Sequence, residues 1–335
     1  MGRAAGRGVA GNVDRARGRS RLANGADRMS WTGRQLPERG EVFLDHVGYF
    51  VADLAAAGAQ LERLGFRVSA VNVQTNADAS GALKPSGTSN RLAKLKFGFI
   101  ELLAATHDTP LADQFRQAIA RYSGLHLIAL SAEDLGKERV RLMAAGFAMQ
   151  EVVELKRRDR TLPGEPEVHF SVLRPQPGAM AEGRVQWVRP HTPEIVWRPE
   201  TITTENGAEA LTDMLLCVDD PAAAAARYGR YAGRAPVTRG GLHAIALDRG
   251  GLVFADAAQA ATILPGFDRP GLPFMAGQAL RADLAKTRAV LARTGIEPVF
   301  ACNDAICLGP RDALGGYLLF HAPQVSDPWD VLRNP

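Results

Sequence analysis

The sequence predicts an α+β protein: four βαβββ units that pair into two cup-shaped mixed β-sheets with helices outside. Three observations lead there. First, a strand, a helix and a Gly-Phe pair beginning LDHVGYFV at residue 44 return as LHLIALSA at residue 125. This places His46 and His126 80 positions apart, and Gly65-Phe66 and Gly146-Phe147 81 apart. Second, fainter copies start near residues 211 and 274, the last repeating Ala52-Asp53-Leu54 as Ala282-Asp283-Leu284. Third, every helical stretch is followed by short alternating or apolar segments, the pattern of strands. One such unit cannot cover both faces of its own small sheet, so pairing around a shared cup is the expected solution.

Each element follows from its residues. The helices carry Ala, Leu and charges in rotation, and a glycine ends each of the first two before the chain re-enters a strand. Strand patterns are RLAKLKFGFIELLAA in the first unit and MQEVVELKRR, VHFSVLRP, GRVQWVRP and PEIVWRP in the second. LHAIAL and GLVFADA belong to the third, and PVFACN, AICLGP and GYLLFHA to the fourth. The expected organisation is a basic disordered tail (1–40), a first paired domain (42–200, with units 42–110 and 124–200), a degenerate second one (208–323, with units 208–262 and 272–323), and a C-terminal tail (324–335).

Composition narrows the function classes. The chain has 335 residues, 46% of them hydrophobic and 23% charged, enough for two sizeable cores. Residues 1–40 hold nine Arg against three acids, about +6, while the whole chain is +4. The remainder is thus slightly acidic, and the basic character belongs to the tail. That argues against nucleic-acid binding by the folded part. No apolar run spans a bilayer. Three cysteines, Cys217, Cys302 and Cys307, fit a reducing compartment, so a cytoplasmic location is expected.

The repeat opening DHVGYFVADL, the Gly-Phe after its helix, and the stretches GTSNRL, GFIELLA, GLHLIAL and HTPEIVW resemble the vicinal oxygen chelate superfamily, and within it the glyoxalase-like domain proteins. The likeness covers about residues 42–200 well and 210–322 as a degenerate repeat. It implies a divalent metal ion (Zn, Fe, Mn, Ni or Co) held in the cup by ligands from the first and last strands of each unit. Carried over, those are His46, Glu101, His126 and Glu194. Glu101 or Glu194 would detach and serve as the catalytic base. His191 competes with Glu194, since the two fall on opposite faces of a regular strand. The residues alone agree in part: a carboxylate between Ile100 and Leu102 is costly to bury without a partner or metal. A satisfied core histidine remains the other reading of each imidazole.

Asn90, Arg91, His169 and Trp187 are the candidate substrate contacts. The first two offer amide and guanidinium donors. Asp213 and Ala276 replace the first-strand histidines in the later units, whose closing strands lack the glutamate, so the second cup is expected to hold no metal. The resemblance implies a metal-dependent lyase or isomerase of a small oxygenated organic. Its rivals are a metal-free sequestration protein of the bleomycin-resistance type and an Fe(II) extradiol-type dioxygenase. A homodimer is a further expectation.

Overall fold

The computed structural model describes residues 1–2, 33–77, 83–159, 162–268 and 271–333. The first unit runs β1 (Phe43–Phe50), α1 (Leu54–Arg63), β2 (Asn72–Ala77), β3 (Leu83–Lys94) and β4 (Phe99–Ala105). A helix, α2 (Pro110–Arg121), fills the connection to β5 (Gly124–Ser131), α3 (Leu135–Ala144), β6 (Val153–Arg158), β7 (Glu167–Leu173) and β8 (Arg184–Pro190). After the short α4 (Pro193–Val196) come β9 (Ala208–Cys217), α5 (Pro221–Ala232), β10 (Pro236–Arg239), β11 (Leu242–Ala246) and β12 (Gly251–Ala255). Then α6 (Ala257–Ile263) leads to β13 (Phe274–Ala282), α7 (Leu284–Thr294), β14 (Phe300–Ala301), β15 (Ala305–Leu308) and β16 (Tyr317–His321).

The same punctuation builds every unit. Asp53, Asp134, Asp220 and Asp283 each cap the helix that follows a first strand, accepting backbone N–H groups that the helix cannot satisfy itself. Glycines at positive φ (Gly65, Gly146, Gly233, Gly295) turn the chain out of those helices.

Pairing occurs within the chain. β1 runs parallel to β4 and antiparallel to β5, which runs parallel to β8. β9 and β13 repeat this with β12 and β16. The two halves meet where Met275 pairs with Leu125, giving one mixed 16-stranded sheet among the described residues. The faces turned from the cups pack under the helices in one large core. No helix among the described residues is long and apolar enough to cross a membrane.

Two expectations about the ends need correction. Residues 3–32 lie outside the described residues, but 33–40 are tied to the folded body. Arg249 donates to the Arg34 carbonyl, Gln35 to that of Lys96, and Arg189 to that of Pro37. The C-terminal segment is not a tail either: it stoppers the second cup. Trp329 (2% exposed) and Leu332 pack among Leu242, Ala244, Val253, Ala279 and Leu319. Arg239 holds Asp213 at 2.6 Å and Asp327 at 2.7 Å, joining the buried cup residue to the stopper. His321 is buried beside Thr212.

Candidate functional site

The first cup is open and encloses about 430 Å³. Its wall of Leu103, Leu111, Phe115, Leu127, Phe170, Val172 and Val188 is apolar. Two polar groups stand against that wall, one from each unit.

The first comes from β1, β3 and β4. A register shift between Leu44 and His46 makes Asp45 an extra residue in β1. Asp45 and His46 can therefore meet although they are adjacent, and Asp45 Oδ1 lies 2.7 Å from His46 Nδ1. Asp45 is buried and its Oδ2 has no partner among the described residues. The imidazole stacks on Phe99 with ring centroids 4.3 Å apart. Its Nε2 lies 3.7 Å from Glu101 Oε2. Parallel pairing of Gly48 with Glu101 sets this approach. Asn90, opposite Leu103 on β3, donates to Glu101 Oε1 at 2.5 Å and itself accepts from Asn72 at 3.0 Å.

The second group comes from the end of β7 and from β8. With period 2, Arg184, Gln186 and Val188 share the cup face. Arg174 donates from Nε to Gln186 Oε1 at 3.0 Å. Arg184 sits over the Phe115 ring at 5.4 Å. Burial pushes the Arg184 guanidinium down to about 10, reinforced by neighbouring Arg174 and opposed by Glu101. Burial lowers Arg174 as well, again opposed by Glu101. Neither guanidinium forms an ion pair among the described residues, so Glu101 is a distant counter-charge for two part-buried cations.

The structure thus brings His46, Glu101 and Asn90 together and separates the rest of the expected set. His126 is the extra residue of a second register shift, between Leu125 and Leu127. Its ring turns between Phe50 and Tyr122, and Nε2 donates to the Tyr122 carbonyl at 2.8 Å. It borders a separate cavity of about 290 Å³ and not the cup. Glu194 is not on a strand. β8 ends at Pro190, and Pro193, which has no N–H to give a ladder, begins α4, leaving Glu194 exposed. Arg91 points away from the cup, bonding Glu62 at 2.9 Å and the Ser69 carbonyl at 2.7 Å. Trp187 is fully buried under the helices, near Tyr231. His169 also faces outward, where its Nε2 lies 2.8 Å from Glu154 Oε2 and its ring lies beside His191.

The expected four-ligand set of His46, Glu101, His126 and Glu194 does not assemble in this cup. His46 and Glu101 face it together with Asp45, whose Oδ2 has no partner among the described residues. The facing strand supplies Gln186, already engaged, and two guanidinium groups whose charge opposes a dication. The three-ligand set of the dioxygenase reading fails likewise, since it needs His126. Asp45, Arg174, Arg184 and Gln186 were not among the residues singled out from sequence. The alternation in GRVQWVRP was the available signal for two of them.

A family model described as Glyoxalase-like domain matches residues 44–232, from β1 through α5. Among solved structures, a hypothetical protein from Staphylococcus aureus aligns with TM-score 0.59 at 10% identity, over 84% of this chain and 99% of its own. A variant of 4-hydroxymandelate synthase from Streptomyces coelicolor aligns with TM-score 0.52 at 13% identity, over 88% and 99%. A xylose isomerase-like TIM barrel/4-hydroxyphenylpyruvate dioxygenase fusion protein aligns with TM-score 0.51 at 15% identity, over 87% of this chain and 51% of its own. At these identities the likenesses show the fold alone. No curated protein matches the chain.

Proposed function

From the premise that this chain belongs to the glyoxalase-like domain family, we propose that its first cup binds a small carboxylate-bearing organic acid and moves a proton on it, as an isomerase or lyase does. The supporting observation is the opposition of two part-buried arginines, without ion pairs among the described residues, to a His46–Glu101 pair across one cavity with an apolar wall.

Arg184 and Arg174, which form no ion pair among the described residues, receive the carboxylate. The apolar wall covers the remainder of the ligand and excludes water. Asp45 accepts the Nδ1 proton of His46, which leaves Nε2 with its lone pair toward the cup. In that state His46 takes a proton from carbon next to the substrate's carbonyl or carboxyl group. The arginines offset the negative charge that develops on oxygen. Asn90 holds the Glu101 carboxylate in place, its charge steadies the imidazolium that forms, and His46 returns the same proton to the neighbouring atom, with no net oxidation. Without the second transfer the same cup is a sequestration site. The apolar wall, suited to an aromatic ring, favours that as the second reading.

One experiment tests both. Small 2-oxo, 2-hydroxy and aromatic acids are screened for binding by thermal shift. Each binder is then incubated with the protein in D₂O and followed by proton NMR. Exchange at the carbon beside the acid group, lost in His46→Gln, is the expected result. Tight binding with no exchange for any ligand would overturn the catalytic reading and leave sequestration. No binding by any acid would overturn both.

A further inference from the structure

Outside the cup, a second cluster of ligating side chains stands on the opposite face of the sheet. β6, β7 and β8 lie side by side there. Glu154 is opposite Ser171 in the β6–β7 ladder, and His169 is opposite His191 just past the end of the β7–β8 ladder, with His191 N donating to the His169 carbonyl at 2.8 Å. Period 2 therefore brings Glu154, His169, Ser171 and His191 onto one face, opposite to Leu155, Phe170 and Pro190; Glu154, on β6, also borders the rim of the cup.

Three of these offer metal-ligand atoms, which all lie within 4.8 Å of one another. Glu154 Oε2 is 2.8 Å from His169 Nε2 and 3.6 Å from His191 Nε2. Ser171 Oγ reaches Glu154 Oε1 and His191 Nε2, each at 2.6 Å. The serine orients the carboxylate from its other oxygen, as the outer partners of a metal ligand do. The cluster is half-exposed, so an ion has a path in and water can fill its remaining position.

We propose that Glu154, His169 and His191 form a divalent-cation site of the zinc type on the outer face of the first domain, separate from the cup. Two imidazoles and one carboxylate suit borderline ions such as Zn(II), and suit Ca(II) or Mg(II) poorly. The consequence for the cup is mechanical. Among the described residues β6 pairs only with β7, and its Leu155 lines the cavity from the other side. An ion gripping Glu154 together with β7 and the end of β8 clamps that wall.

The test uses tag-free, full-length protein freed of metal by a chelator and titrated with Zn(II) by calorimetry, beside His169→Ala, His191→Ala, Ser171→Ala and His46→Ala. One equivalent should bind to the wild type and to His46→Ala. Affinity should fall by about 100-fold in either outer histidine variant and by about 10-fold in Ser171→Ala. No saturable binding to the wild type, undiminished binding in both outer histidine variants, or loss in His46→Ala would each overturn the site. Circular dichroism checks that each variant folds. If a variant does not fold, the imidazole nitrogen shifts of His169 and His191 in the wild type decide: both move on adding Zn(II) if they are ligands, and unchanged shifts overturn the proposal.

Discussion

His46 is held between two carboxylates with unequal duties: Asp45 takes Nδ1 at 2.7 Å, and Glu101 stands 3.7 Å from Nε2, too far for a hydrogen bond. Under the proposed function His46 Nε2 is the atom that meets the substrate proton, and the short bond at Nδ1 sets the tautomer. Asp45→Asn keeps the shape but lets an amide N–H face Nδ1, which favours the tautomer with the proton on Nε2. The expected result is a reversal of the two imidazole nitrogen shifts in NMR. Once a substrate is found, kcat should fall by about 10²–10⁴ with KM nearly unchanged. An unaltered tautomer would remove Asp45 from the mechanism.

The arginine pair is costly to the ligand-free protein, and under the proposed function a bound carboxylate offsets that cost. Arg184 lies beside Arg174 and over Phe115, and Glu101 is the acid that offsets both. Arg184→Met removes one of two like charges while keeping an apolar stem on Phe115. Carboxylate affinity should drop by about 10- to 100-fold, the range for losing a charge-assisted hydrogen bond. The ligand-free melting temperature should hold or rise. Arg184→Lys should recover little affinity, because an ammonium lacks the planar two-pronged donor set. Calorimetry with the best ligand from the acid screen measures each step.

Much of this was readable beforehand, for identifiable reasons. The repeat showed in Asp-capped helices and in Gly-Phe pairs, because the same backbone punctuation is needed in every unit. His46 and Glu101 were found because each polar residue interrupts an apolar strand, and the structure places them together. His126 and Glu194 illustrate what periodicity misses. A single inserted residue at a bulge re-aims a side chain, and a proline after β8 ends a strand that its apolar content suggested would continue. The cup's second half went unread because arginines at a strand start resemble surface charge until the sheet curls round them. The stopper of the second cup went unread because a short polar tail shows no periodicity of its own.

Two buried histidines set an acid limit on stability. Burial pushes His126 down to about 4, partly offset by its bond to the Tyr122 carbonyl. Burial does the same to His321, also to about 4. An unfolded histidine titrates near 6.5, so between about pH 6.5 and 4 the unfolded chain binds protons that the folded chain excludes. These two groups therefore leave stability undiminished above about pH 6.5 and reduce it as pH falls through that window. Each contributes a slope of about 1.4 kcal/mol per pH unit. Urea midpoints across the window should show the decline. His126→Gln, whose amide can still donate to the Tyr122 carbonyl, should remove about one proton's share of it. An unchanged slope in that variant would mean His126 titrates normally.

The stopper of the second cup yields the sharpest test of the division of labour between the halves. Trp329 reaches into the space over Gly277, where an added Cβ would lie 2.9 Å from the indole and 2.9 Å from the Tyr317 carbonyl. Its burial among Leu242, Val253, Ala279 and Leu319 is the contact that fills the cup. Trp329→Ala should cost about 3–5 kcal/mol, the usual penalty for emptying a large aromatic site. Gly277→Ala should destabilise too, by displacing the same ring. Removing residues 324–335 also strips Asp327 from Arg239 and exposes the apolar lining, so the truncated chain should bind a hydrophobic dye. Ligand affinity of the first cup should change little where the variant folds, since the stopper packs in the core of the second half. A truncation with an unchanged urea midpoint and no dye binding would show that the segment merely lies on the surface. A truncation that abolished first-cup binding while remaining folded would instead show that the two halves work as one site.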